Sequence, residues 1–463
     1  MRDINHHVLD TYVADSKKLF EHFLGSLIEI PTVSMDRGHF QDMQRGANLA
    51  VSYLTEIGAV TEVIETPGHP VVIAYLEKDP RMPTITLYHH LDVQPALAHE
   101  WESPPFQFTI KDDVYYLGRG TTDDKGPAIT ALLAAKFAME EHIPINIKFI
   151  WEMEEEIGSP NFEAAIRPKK QALETDSILV SDTLWISRKK PAIPHGLRGL
   201  MTAYLTLTTG QRDTHSGSTG GAARNPLGEL CQLIDRCYDP FSGKVRIEGF
   251  YDHVQKPSPQ ELKEYGKSGF NVDEFREIHG LGSLRTKDPH QAFQAICCEP
   301  TFEVHGITGG YMGEGVKTII PHTAQAKIST RLVPKQNPLE IFRLLSNFVK
   351  KENPEVEVTL DATLNPYLTE LTGFHMKAAR EAIREGFGLD PVFIREGGSI
   401  GPVATMQNIW PVPIALLGFS LPEHGSHSPH ESFDWFQAAG GMKTLVHYFH
   451  QVSQIQAASS ILH

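Results

Sequence analysis

The sequence predicts an α/β protein in which a sheet with helices on both faces is interrupted by a smaller inserted α+β domain. Its 463 residues are enough for two or three domains at about 150 residues each. Apolar strand-like runs alternate with helical stretches up to Leu197, which is the order expected of such a sheet. From residue 198 to about residue 365, strand-like pieces and glycine turns dominate, and the helical pattern returns after Pro366.

The first elements follow from the spacing of apolar side chains. Residues 16–30 carry them three and four apart and stop before Pro31, as in an amphipathic helix. Residues 126–142 have the same spacing, with Pro127 in the first turn, where proline is tolerated. Short apolar runs predict three strands, at residues 83–88, 145–152 and 178–180.

The later elements define the domain boundaries. Three strand-like runs (TAYLTLT, PTFEVHGIT and AQAKISTRLVP) and one helical run, Pro338–Lys351, fall in the insertion. A helical pattern, the apolar run IALLGF and an amphipathic helix beyond Ser432 follow. We therefore predict a discontinuous domain of residues 1–197 and 366–463, with residues 198–365 inserted.

Charge and cysteine content exclude several classes of protein. The formal charge of −15 argues against a protein that grips nucleic acid or an anionic membrane. No window approaches the 18 apolar residues of a membrane span, and the charged N-terminus lacks the apolar core of a signal peptide. The four cysteines are too few and too clustered for a disulfide framework. We expect a cytoplasmic protein without nucleic-acid or membrane partners.

Histidine and acidic side chains follow several predicted strands. These clusters are His89–Asp92, Asp123–Asp124, Glu152–Glu156, Asp182 and His424–Glu431. Sites in open α/β sheets form beyond the carboxyl ends of strands, so the clusters are expected to meet. Unpaired carboxylates repel one another and are costly to desolvate, so such a pocket needs bound cations. Each cluster alone is more typical of a turn or an exposed face, but together they predict a metal site.

Ten motifs appear in one order between residues 90 and 431. They are HLDVQP (90–95), GRGTTDDKGP (118–127), EMEEEIGS (152–159), VSD (180–182), HGLRG (195–199), DTHSG (213–217), KTIIP (317–321), STRLVP (329–334), REGGSIGP (395–402) and GSHSPHE (425–431). The chain thereby resembles the co-catalytic di-zinc metallopeptidases, which include carnosinase, cytosolic non-specific dipeptidase, aminoacylase and glutamate carboxypeptidase. The carnosinase and non-specific dipeptidase branch is the nearest. The resemblance implies a catalytic domain with a mixed sheet and an inserted lid and dimerisation domain.

The resemblance also implies two divalent metal ions per subunit, with zinc expected and manganese as the alternative. The first ion would be held by His90, Asp123 and Asp182, and the second by Asp123, Glu156 and His427. Asp92 would accept a hydrogen bond from the His90 imidazole and so fix its tautomer. The family tends to have a cis peptide after the shared aspartate, here between Asp123 and Asp124.

The catalytic residues are likewise implied by the resemblance. Glu155 is expected to be the general base, because Gly158-Ser159 sets the register. A shift of one residue would give that role to Glu154. His215 resembles a histidine that reaches across a dimer interface and polarises the carbonyl oxygen, although a purely structural histidine is the alternative. The positions that match those binding the substrate carboxylate are Thr318, Arg331 and Ser399.

Several features argue against other interpretations. His89 stands where many relatives have glycine and is interpreted as a bystander, and the role of His430 is left open. Val316 separates glycine from lysine in the run from Gly310 to Thr318, so the spacing of a phosphate-binding loop is broken. No G-x-S-x-G motif surrounds Ser216 or Ser218, which argues against a serine hydrolase.

These implications predict a metal-dependent hydrolase that cleaves dipeptides or short peptides, using a hydroxide bridging the two ions and a glutamate base. Asp182 favours this reading, because acylases and carboxypeptidases of the family tend to have glutamate there. The alternative is an amidohydrolase of N-acyl or N-carbamoyl amino acids. A catalytically silent binding protein is disfavoured, because all five metal ligands and Glu155 are present. A homodimer through the inserted domain is expected.

Overall fold

The computed structural model describes residues 4–455 and has the mixed α/β architecture that the sequence predicts. Residues 4–197 form five α-helices and eight strands, besides several short 3-10 and π segments. The helices are α1 (His6–Asp15), α2 (Lys17–Ile28), α3 (Phe40–Glu56), α4 (Gly126–Glu140) and α5 (Phe162–Ile166). The strands are β1 (Val60–Ile64), β2 (Val71–Leu76), β3 (Thr84–His90), β4 (Thr109–Lys111), β5 (Tyr115–Leu117), β6 (Asn146–Glu152), β7 (Ser177–Val180) and β8 (Ala192–Leu197).

The middle and last parts of the chain contribute the remaining elements. The middle strands are β9 (Gly199–Thr208), β10 (Thr214–His215), β11 (Glu303–Gly309), β12 (Ile319–Ile320), β13 (Thr323–Leu332) and β14 (Glu357–Leu364). The middle helices are α6 (Ser216–Thr219), α7 (Pro226–Cys237), α8 (Pro259–Tyr265), α9 (Val272–Ile278), α10 (Pro289–Cys298) and α11 (Pro338–Glu352). The last elements are β15 (Tyr367–Leu368), α12 (Phe374–Phe387), β16 (Val392–Glu396), α13 (Gly401–Ile409), β17 (Ile414–Leu416), β18 (Ser432–Asp434) and α14 (Trp435–Val452).

The main sheet has the strand order β1-β2-β6-β3-β7-β17 and is mixed. Strands β6, β3, β7 and β17 run parallel, whereas β1 and β2 are antiparallel to their neighbours. One face packs against α1 to α4, α12 and α14, and the other packs against α5 and α13. Because helices cover both faces, β3 and β6 are apolar runs buried almost throughout. The predicted sheet with helices on both faces is confirmed.

The insertion has its own four-stranded antiparallel sheet, with the order β11-β13-β9-β14. Helices α7 and α11 cover it and bury a separate apolar cluster that includes Leu205, Leu230, Ile328 and Leu345. The boundaries at 198–365 stay a prediction, and this sheet supports them. Helices α8 and α10 belong to a different apolar cluster. They pack against β8 and β16, through Tyr265 and Phe293 among others.

Among residues 4–455, no helix has the length and apolar character needed to cross a bilayer.

Candidate metal centre

The parallel strands end at one edge of the main sheet, and several predicted site residues lie there. His90 is the last residue of β3, and Asp182 follows β7 by two residues. Glu155 and Glu156 lie in a short turn after β6, which pairs with β3 in parallel. The strand order therefore brings together side chains that are far apart along the chain.

The other four predicted metal ligands converge on Asp123. His90 Nε2 lies 3.0 Å from Asp123 Oδ1 and 3.8 Å from Asp182 Oδ2. His427 Nε2 lies 3.0 Å from Asp123 Oδ2 and 3.2 Å from Glu156 Oε2. In each of these two groups of three residues, the ligand atoms lie within 4.8 Å of one another. The two oxygens of Asp123 thus face two candidate metal positions.

Negative charge is crowded at this edge of the sheet. Burial raises the pKa of Asp182 to about 7, and the neighbouring Asp123 and Glu156 act in the same direction. Burial also raises the pKa of Glu155 well above its usual range. Hydrogen bonds to Asp123 and Glu156 raise the pKa of His427 to about 11. A site with this surplus of carboxylates and two imidazoles suits positive ions.

Glu431 holds the loop that carries Asp123, a role that the sequence did not reveal. Glu431 is fully buried, and its carboxylate accepts hydrogen bonds from the main-chain N–H groups of Gly120, Thr122 and Asp123, at 2.9, 2.9 and 3.1 Å. Arg119 Nη1 donates to the same carboxylate at 2.9 Å. The peptide bond between Asp123 and Asp124 is cis, as expected. Glu431 was visible in the sequence only as the end of GSHSPHE, because its partners lie about 310 residues earlier.

Asp92 joins two parts of the site. Its carboxylate accepts the main-chain N–H groups of Glu155 and Glu156, at 3.1 and 3.0 Å. His90 Nδ1 lies 3.1 Å from the main-chain oxygen of Asp92 and 3.5 Å from its carboxylate. The nearer acceptor for the imidazole is therefore the main-chain oxygen, and the carboxylate also anchors the glutamate turn.

The adjacent glutamates Glu154 and Glu155 have different surroundings. Glu154 is 4% exposed, and its carboxylate accepts hydrogen bonds from the His69 main chain at 2.8 Å and from the Asn161 side chain at 3.0 Å. Glu155 interacts electrostatically with His90 and Asp182. Glu154 is thus occupied by structural contacts, whereas Glu155 faces the candidate metal ligands.

The predicted substrate-binding residues fall into two places. Arg331 Nη1 donates to Ser399 Oγ at 2.8 Å, and Glu155 is close enough to act on the Arg331 charge. His215 on β10 and Thr318, just before β12, are both exposed and lie close together, since the Ser216 N–H donates to the Thr318 main-chain oxygen at 3.0 Å. Within the described part of the chain, neither of these two side chains contacts the five candidate ligands.

Two further residues near the site stand out by their burial. His89 is fully buried beside His90, and neither ring nitrogen has a hydrogen-bond partner in the described residues. Burial lowers its pKa to about 3, so the ring is neutral. Glu396, which the sequence analysis did not single out, has a buried oxygen without a partner there, and burial raises its pKa to about 8.

Comparison with known proteins finds relatives that match most of the chain. A sequence model described as Peptidase family M20/M25/M40 matches residues 86–451. The chain is 30% identical to the Cys-Gly metallodipeptidase dug1 of Schizosaccharomyces pombe, over 96% of this chain and 98% of that protein. It is 32% identical to the Beta-Ala-His dipeptidase of Homo sapiens, over 84% of this chain and 78% of that protein.

Two solved structures match the fold of almost the whole chain. The crystal structure of human carnosine dipeptidase 1 matches with a TM-score of 0.84 and 29% identity, covering 97% of this chain and 99% of that chain. The M20 family metallo-carboxypeptidase Sso-CP2 from Sulfolobus solfataricus matches with a TM-score of 0.88 and 29% identity, covering 94% and 99%.

Proposed function

This chain belongs to the Peptidase family M20/M25/M40, and we propose that it is a metal-dependent hydrolase that cleaves the peptide bond of dipeptides or short peptides. The observation that carries this proposal is the convergence of two groups of metal-ligand side chains on Asp123. Relatives named as Cys-Gly and Beta-Ala-His dipeptidases support dipeptides as the substrate class.

The donor set at the site fits divalent metal ions. Imidazoles and carboxylates are ligands that zinc and manganese accept, and the crowded carboxylates favour a bound cation. We propose zinc, with manganese as the alternative. One ion would be held by His90, Asp123 and Asp182, and the other by Asp123, Glu156 and His427. When bound, such ions lower the pKa of a water molecule toward neutrality and polarise the scissile carbonyl group.

Glu155 is the proposed general base. It would take the proton from the attacking water and pass it to the leaving amine. Its place supports this assignment, because Glu155 interacts electrostatically with His90 and Asp182 and is adjacent in sequence to Glu156. Glu154 is a poor alternative, since its carboxylate already accepts hydrogen bonds from His69 and Asn161.

Arg331 and Ser399 are the proposed anchors for the substrate carboxylate. The planar guanidinium group of Arg331 suits bidentate binding, and its bond to Ser399 orients it. His215 and Thr318 lie apart from these residues within their own chain. We therefore propose a homodimer through the inserted domain, in which His215 and Thr318 complete the partner's site.

The cysteines support a reducing compartment. Within residues 4–455 all four are free thiols, and three of them are buried. We propose a cytoplasmic location on this basis.

A substrate panel tests the proposed reaction. Ala-Ala, β-Ala-His and Cys-Gly would be compared with N-acetyl amino acids on protein loaded separately with zinc and with manganese. We expect turnover of the dipeptides. If only the N-acetyl compounds react, the proposal is wrong and the protein is an acyl-amino-acid hydrolase.

A pair of adjacent variants tests the base. E155Q should keep its bound metal and lose about 10²–10⁴-fold in kcat, which is the usual contribution of a general base. E154Q is the matched control and should keep kcat within a few-fold while losing stability. If E155Q is as active as the unmodified protein, Glu155 is not the base.

Complementation tests the shared site. A mixed dimer of E155Q and H215N subunits contains one intact site, so coexpression should restore about one quarter of the full activity for random pairing. If mixed dimers form without any gain in activity, the two residues serve the same site within one chain.

A further inference from the structure

A cavity of about 670 Å³ beside the candidate metal centre has no role in the chemistry described above. We propose that this cavity binds a bulky apolar side chain of the dipeptide and thereby selects the substrate. This inference rests on the proposed function and deepens it by naming a substrate class.

Three stretches of the cavity wall are adjacent in sequence to residues of the site. Leu184 to Ser187 follow Asp182, Glu396 to Gly398 precede Ser399, and Gly425, Ser426 and Ser428 flank His427. A side chain in this cavity would therefore belong to a substrate whose peptide bond lies at the metal centre.

The opposite wall is apolar and comes from the insertion. It is formed by Phe270, Phe275, Ile278, Phe293 and Ile296, on and around α9 and α10. The ring of Phe270 lies 5.3 Å from the rings of both Phe275 and Phe293, measured between centroids. These contacts prearrange an aromatic surface, which favours apolar over polar side chains.

Apart from Glu396, one of whose buried oxygens has no partner within residues 4–455, the charged members of the lining are already paired or exposed. Arg198 Nε donates to the Gly397 main-chain oxygen at 2.8 Å. Glu423 is exposed and lies 3.3 Å from the Nε of Arg188. Glu274 is also exposed. The enclosed surface left for a ligand is therefore mainly apolar.

Selectivity among dipeptides tests this inference. We expect kcat/KM for Phe-Ala or Ala-Phe to exceed that for Ala-Ala by at least about tenfold, which is the range for burying one large apolar side chain. In I278D this preference should fall about tenfold. The matched control is L281D, because Leu281 is also 41% exposed but lies outside the cavity lining. F275A provides a second variant that enlarges the cavity without adding charge.

The outcomes separate this inference from the proposed function. Equal kcat/KM for all three dipeptides, or equal effects of I278D and L281D on the preference, would overturn the cavity's role alone. Absence of turnover with every dipeptide would overturn the proposed function and this inference together.

A second cluster of metal-ligand residues lies outside the candidate metal centre. His6 on α1, Glu385 on α12 and His447 on α14 have ligand atoms within 4.8 Å of one another. We propose that these three residues bind one zinc ion that fastens α1 to the helices beneath it. Two imidazoles and one carboxylate form a set of zinc ligands known in proteins.

Two further observations support this second site. His447 is 8% exposed, so little of its imidazole is open to solvent. The ring of His6 lies 5.2 Å from that of His447, between centroids, so α1 already faces it. An ion pair between Asp10 on α1 and Lys443 on α14, at 2.6 Å, joins the same two helices.

Metal content tests the second site. Protein equilibrated with micromolar zinc and then desalted should hold one zinc ion more per chain than H6A treated in the same way. H7A is the matched control, because His7 is the exposed neighbour of His6, and it should hold as much zinc as the unmodified protein. Equal zinc content in H6A and the unmodified protein would overturn the site, whatever the activity of either.

Discussion

Replacing Glu431 by glutamine should destabilise the protein strongly. Each carboxylate oxygen accepts two hydrogen bonds: Oε1 from the N–H groups of Thr122 and Asp123, and Oε2 from Gly120 N–H and Arg119 Nη1. A glutamine has one oxygen and one NH₂ group. Whichever way the amide is turned, two donors therefore face another donor.

The magnitude follows from those two donors. A buried donor without a partner costs about 1–3 kcal/mol, so two cost about 2–6 kcal/mol before the structure relaxes. Glutamine also removes the cost of burying a charge, which is what raises the pKa of Glu431, so we expect E431Q to lose only about 2 kcal/mol of unfolding free energy. Zinc affinity should fall as well, because Glu431 holds the main chain of Asp123 in place.

Urea unfolding of metal-free protein, followed by tryptophan fluorescence, measures this loss. Burial raises the pKa of Glu431 to about 7, so the experiment is done at pH 8, where the carboxylate is mostly ionised. The control is E423Q in the same loop, because Glu423 is exposed and lies beside a single arginine. We expect E423Q to lose less than about 1 kcal/mol. An equally small loss in E431Q would refute the reasoning.

Three other predictions follow from the same structure. A chelator should abolish hydrolysis and lower the melting temperature, and added zinc should restore both. An activity assay checks the first effect and calorimetry the second. D92N should weaken zinc binding about 10–100-fold in a competition assay, because one of the N–H groups of Glu155 and Glu156 would face an NH₂ group. Burial lowers the pKa of His375 from 6.5 to about 4, so its contribution to stability is present above pH 6.5 and is lost as the pH falls toward 4. H375Q should show a smaller loss of unfolding free energy over that pH range, and equal pH dependence in both proteins would contradict this assignment.

Much of the fold was predictable because its signals are local. The apolar runs that become β3, β6 and β7 are buried on both faces, and such strands are recognisable from composition alone. The helices α4 and α11 begin where proline occupies the first turn, as their sequences indicate. By contrast, α8 lies in a stretch rich in lysine, proline and serine, residues 256–267, for which we predicted no helix. Its Ser258–Glu261 capping box is visible in the structure.

The choice among three consecutive glutamates needed the tertiary structure. Spacing to Gly158 favoured Glu155 as the base but left Glu154 open. The surroundings distinguish them, because Glu154 binds His69 and Asn161, which come from other parts of the chain. A run of identical side chains carries no local information about the direction in which each one points.

The sequence by itself determined the residue types at the strand ends and therefore the chemistry available there. Only the tertiary structure decided which of those side chains meet. The order β6-β3-β7 brings His90, Glu156 and Asp182 to one edge, while Glu431 reaches back to hold the loop of Asp123. The physical reason is that hydrophobic periodicity is a property of neighbouring residues, whereas strand order and the pairing of buried polar groups depend on contacts across the whole chain.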